Sequence, residues 1–212
     1  MKKLVLVLAG LVAILTVHAS DSKYEKSMSG ALEKLYGQPS IESLQAAVSQ
    51  FERISQAEPE KWLPAYYACL GYIWMTHQEK DVSKHDKILD AAQKNLDLCK
   101  SISADNDEVE TLQGYIYMMR LVVDPQGRGA QYSQLSMVSF QKALAINPGN
   151  PRALLMMGQM KFGTDQFFGN DVTDACNMMK GAAEKLENEQ PVDKLAPAWG
   201  KTMAQQLIQG CQ

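Results

Sequence analysis

The chain has 212 residues, 46% of them hydrophobic and 21% charged, with a formal net charge of −3. That is enough apolar material for one domain with a substantial core. The mild acidity, with no basic stripe, argues against nucleic acid and anionic membrane surfaces as partners.

Lys2 and Lys3 precede an unbroken apolar run from Leu4 to Leu15, and Val17-His18-Ala19 follows. A positive start, an apolar stretch and an A-x-A-like site read as a secretory signal over residues 1–19. The run is short for a spanning helix, and no cysteine follows Ala19 to take a lipid. The expectation is an exported, periplasmic or secreted chain of one domain, residues 20–212, without stable membrane insertion once the signal is removed.

From Tyr24 to Tyr36 the spacing predicts a first helix, with Met28, Leu32 and Leu35 on one face. Ser40 caps a second, where Ser43 takes the place of the usual Glu; Leu44, Ala47, Val48, Phe51 and Ile54 are in register. Trp62 to Met75 reads as a third helix, and its partner runs from about Lys84 to Ile102. Glu108 to Leu121 follows, then a helix marked by Ser136, Phe140 and Ala143. Pro151 opens another helix, and Ala175, Met179 and Ala182 mark its partner. A final helix is expected from about Lys194 to Gln209.

Within Phe140–Gly158 (FQKALAINPGNPRALLMMG) an apolar helix ends in N-P-G-N, and a proline-started helix with an internal glycine follows. Tyr67, Leu70, Gly71 and Trp74 repeat an aromatic–Leu–Gly–aromatic order. Ala92 to Gly114 and Ser136 to Gly158 both span 22 residues. These features resemble the tetratricopeptide repeat, a 34-residue helix–turn–helix family. The resemblance implies an all-α, right-handed solenoid of about four pairs with a terminal capping helix. It also implies a scaffold that binds a protein or peptide on its concave face, at Tyr72, Met75, Tyr115, Met118, Arg152, Gln159 and Phe162.

Three turns depart from that pattern. Gly71 to Ala92 spans 21 residues, Gly114 to Ser136 spans 22 and Gly158 to Ala175 spans 17, each longer than the family's spacing. In a stack, equivalent turns emerge along one edge, so the insertions should be neighbours. The second holds Arg128 between two glycines and ends at Tyr132; the third holds Phe167-Phe168 beside Gly169. A cation and rings suit a small ligand with a carboxylate or phosphate and an apolar body. The alternative function is therefore a solute-binding protein of an uptake system, with a pocket near Arg128, Phe167 and Phe168. In the bland reading the two rings anchor their own loop and Arg128 pairs with Asp124.

The first insertion gathers His77, Glu79, Asp81, His85 and Asp86, but in no established metal spacing. No nucleophile elbow, S-x-x-K, H-E-x-x-H or phosphate loop is present, so neither an enzyme nor a cofactor is expected. The four cysteines, Cys69, Cys99, Cys176 and Cys211, permit two disulfides or buried thiols. Pairing neighbours, Cys69 with Cys99 and Cys176 with Cys211, asks only adjacent helices to meet.

Overall fold

The computed structural model describes residues 22–37 and 40–211, so the leader expected over 1–19 lies outside the described residues. Among these residues the fold is all-helical, with no strand. Helix α1 covers 22–36. There follow α2 (Ile41–Ala57), α3 (Trp62–Gln78), α4 (His85–Ile102), α5 (Asp107–Val123), α6 (Pro125–Ile146), α7 (Pro151–Phe168), α8 (Thr173–Glu187) and α9 (Lys201–Leu207). Single 3-10 turns precede α4 (Val82–Lys84) and end the chain (Ile208–Cys211).

Local chemistry sets most of the boundaries. The Ser40 hydroxyl accepts from the Ser43 amide while the Ser43 hydroxyl accepts from the Ser40 amide, the expected capping box. Asn106 caps α5, and Asn150 caps α7 ahead of Pro151. Gly169, at φ 70°, takes the left-handed conformation that closes α7.

From α2 to α8 each helix packs against the next in sequence, and α5 also touches α3 and α7. The odd helices form one layer and the even helices back it. Close approach depends on glycine at three places. A Cβ at Gly114 would overlap the Phe140 ring of α6, and one at Gly158 would stand 2.8 Å from Met179 Cγ of α8. At Gly71 the close neighbour is Val48 of α2, in the preceding pair. Ser136 fits beside Gly114 by donating its hydroxyl to the Gly114 carbonyl at 2.8 Å.

Three expectations change. The second insertion is not a loop: Asp124 accepts from the Gly127 amide and Pro125 takes the first helical position, so α6 begins there. The final helix is shorter than Lys194–Gln209. Residues 188–200 are irregular, broken by Pro191 and Pro197, and Gly200 adopts φ 110° before α9 starts. Of the cysteines, Cys176 and Cys211 form a disulfide, whereas Cys69 and Cys99 are buried free thiols whose pKa values burial raises. Among the described residues no helix is long and apolar enough to cross a membrane.

Candidate functional site

The odd helices each carry an inward stripe at helical spacing. On α3 it runs Tyr66, Ile73, His77; on α5, Glu108, Tyr115, Val122; on α7, Arg152, Gln159, Gly163 and then Phe167. Steps of seven and four residues keep each stripe on one side of its helix. The contacts below confirm the side at Tyr66, His77, Glu108, Tyr115 and Arg152.

One half of this inner face is covered by the chain itself. The segment 188–200 crosses it as a strap. Arg152 donates Nε to Glu108 at 2.8 Å, and its two terminal nitrogens reach both Glu189 oxygens at 2.8 and 2.7 Å. Glu108 also accepts from the Tyr66 hydroxyl at 2.7 Å and from Asn150 at 3.0 Å. The Trp199 indole donates to the Tyr66 oxygen at 2.7 Å, and its ring stacks on Tyr115 with centroids 6.0 Å apart. Tyr67 donates to the Leu195 carbonyl at 2.8 Å, and Lys194 pairs with Glu25 of α1.

The electrostatics follow from burial. Desolvation raises the Glu108 pKa, and the Arg152 charge and the hydrogen bonds work against that rise. For Arg152, burial opposes the charge, but the Glu189 and Glu108 contacts outweigh it and hold the guanidinium protonated. Every Arg152 nitrogen has an acceptor, Nη1 also meeting the Trp199 carbonyl at 3.3 Å.

The other half is open. His77 is exposed, Val122 is 55% exposed and Phe167 is 81% exposed. A Cβ at Gly163 would meet nothing within 4 Å. Tyr115 bounds this half, its hydroxyl 2.9 Å from His77 Nε2. Met118, Met119 and Met160 are almost fully buried. Gln159 Oε1, on the α7 stripe, is buried without a hydrogen-bond partner among the described residues. At helix spacings of roughly 8–10 Å, α3 to α7 spans roughly 20 Å. Tyr115 to Val122 adds about 10 Å along the axis.

The residues singled out from the sequence divide by place. Tyr115, Arg152 and Gln159 lie on the inner stripes, with Arg152 beneath the strap. Tyr72 instead donates to Glu52 of α2 at 3.0 Å, and Met75 is buried. The apolar α3 offers no periodicity to orient it, so the family register put these two on the wrong side. Met118 is nearly fully buried, and Phe162 approaches Gly210 of the terminal turn. Tyr132 packs its ring against Tyr117, 5.9 Å between centroids. Arg128 pairs with Asp86 at 2.8 Å, not with Asp124, and this hydrogen bond lowers the Asp86 pKa. Phe167 and Phe168 touch edge to face at 5.0 Å and stay exposed.

No group of three or more metal-ligating side chains forms among the described residues. A shallow cleft of roughly 200 Å³ beside the disulfide, lined by Val172, Asn177 and Lys180 among others, is smaller than ordinary ligand pockets. Sequence reasoning missed the strap and its anchors Tyr66, Glu108 and Glu189. The signal available was Pro191 and Pro197, which deny a continuous final helix.

No protein-family model and no curated protein matches the sequence. Among solved structures the chain is similar to the HusA haemophore from Porphyromonas gingivalis, with 27% sequence identity and a TM-score of 0.80. The match covers 89% of this chain and 92% of that one. The likeness is to a haemophore.

Proposed function

We propose that this protein is an exported, non-enzymatic carrier that binds a planar tetrapyrrole, haem in the first instance, on the open half of the inner face. Haem here is cargo, not a resident cofactor. The reading is carried by a coincidence. Similarity to a haemophore covers 89% of the chain, and the inner stripes leave Val122 and Phe167 exposed. An exposed large apolar ring is what a porphyrin face requires. The leader-like residues 1–19 and the disulfide suit an oxidising, extracytoplasmic setting. The stack itself is read as tetratricopeptide-like, supported by the close glycine contacts at Gly114 and Gly158.

The peptide-scaffold reading has less support, because the strap already fills the groove at Arg152 and Tyr66 where an extended partner would lie.

Titration of haemin into the protein, followed by absorbance, tests the proposal. The expected result is a saturable red shift and narrowing of the Soret band. Phe167→Ser should weaken binding about 10- to 100-fold, the worth of burying one large apolar side chain. Phe168→Ser, nearly opposite the inner stripe, should change it little. Absence of a saturable signal would overturn the reading.

A further inference from the structure

We infer that the corner where α3 gives way to α4 is an acid-sensitive latch, built on His77 and His85, that ties the end of α3 to α5 at neutral pH and releases it in acid. These are the two histidines among the described residues, and both lie at this corner. His77 is in the last turn of α3, and His85 is the first residue of α4. His77 Nε2 is 2.9 Å from the Tyr115 hydroxyl of α5. Tyr115 is 1% exposed, and its hydroxyl has no other hydrogen-bond partner among the described residues. A buried O–H needs an acceptor, so the phenol donates and Nε2 accepts with its lone pair. His85 is also buried. Its Nε2 lies 2.8 Å from the Glu79 carbonyl and therefore donates, while its Nδ1 is buried without a partner among the described residues.

A second proton spoils both arrangements, because an imidazolium carries N–H on each nitrogen. At His77, Nε2 stops accepting, and the Tyr115 hydrogen is left buried with nothing to receive it. At His85, the new N–H on Nδ1 is left the same way. The carboxylates of the corner are already engaged. Asp86 of α4 is held by Arg120 of α5 and Arg128 of α6. In the connecting turn, Glu79 accepts from the Asp81 amide and pairs with Lys84, and Asp81 accepts from Ser83 and pairs with Lys84. The remaining charges beside the turn, Lys80 and Lys87, are exposed and of the wrong sign to help. Crowding, and after it His85, holds the His77 pKa below the ordinary histidine value. The folded chain therefore binds fewer protons here than the unfolded chain. The stability this contributes is complete above the ordinary histidine value and is lost as pH falls through it toward the lower folded one. The latch does not depend on what the open half carries.

Hydrogen exchange, corrected for the intrinsic rate, compares the wild type with His77→Gln/His85→Gln near pH 7.5 and near pH 5. Glutamine offers an oxygen to the Tyr115 hydroxyl and an N–H to the Glu79 carbonyl, but does not titrate. On acidification the wild type should lose about tenfold or more in protection across the corner, the worth of a buried group left without its partner. Helix α8 should keep its protection, and the double variant should be equally protected at both pH values. Unchanged protection in the wild type, or the same loss in the double variant, would overturn the latch. Ring-nitrogen NMR of the wild type needs no variant, and it decides the matter if the double variant does not fold. Near pH 7.5 the His77 proton should sit on Nδ1, and a protonated Nε2 would overturn the latch.

Discussion

At the scale of single residues, the inner face combines groups that are costly to bury with partners that satisfy them. Glu108 lies in the interior because Arg152, Tyr66 and Asn150 all donate to it. Removing one member would leave a charge without its partner, a loss of several kcal/mol. Arg152, Tyr115 and Gln159, which the family register assigned as exposed positions, lie on the inner stripes, but Arg152 and Tyr115 are buried there. The sides of Tyr72 and Met75 were not legible in the sequence, because α3 is buried almost all round and hydrophobicity there carries no direction. The glycines offer a clean check. Gly114→Ala drives a methyl into the Phe140 ring, and overpacking of that kind costs about 1–3 kcal/mol. Gly181→Ala in α8 meets nothing within 4 Å and should stabilise by about 0.5–1 kcal/mol. Thermal unfolding should move in opposite directions for the two variants. Equal losses would mean that the layers are not packed as described.

At the scale of elements, the strap is the feature that periodicity does not encode. Its side chains follow no helical or strand repeat. Leu195, Pro197 and Trp199 are buried because they meet the inner face, a tertiary event. Glu189 fastens its start to Arg152, and Cys211 fastens the helix and turn that follow it to Cys176. Only the second fastening was anticipated from the cysteine count. The disulfide closes a loop of 35 residues, for which chain entropy gives about 3–4 kcal/mol. Reduction, or the Cys176→Ser/Cys211→Ser pair, should lower unfolding stability by up to that amount in urea. The far-UV helical signal should remain, since α1 to α8 do not depend on the bond. A stability unaffected by reduction would show that the terminal helix and turn hold without it.

At the scale of the whole molecule, the helix order and the neighbouring pairs were legible because capping residues, prolines and apolar spacing agree from α1 to α8. The long intra-pair spans were visible as counts, but not their form. They extend α6 and α7 and add a 3-10 turn before α4, and do not form free loops. The first two spans do meet, through the Asp86–Arg128 pair. That pair and Tyr132 bind the even layer, while Phe167 stands on the odd layer, so the cation and the ring do not form one pocket. What the sequence concealed is that half of the inner face is closed from within.

The most direct test is the map of backbone amide shifts when gallium protoporphyrin IX, a diamagnetic haem analogue, is added to isotope-labelled protein. The account predicts that the largest shifts fall at His77, Tyr115 to Val122 and Gln159 to Phe167, with the strap around Trp199 moving little. Shifts centred on the cleft beside Cys176 and Cys211, or on the even helices near Arg128, would contradict it.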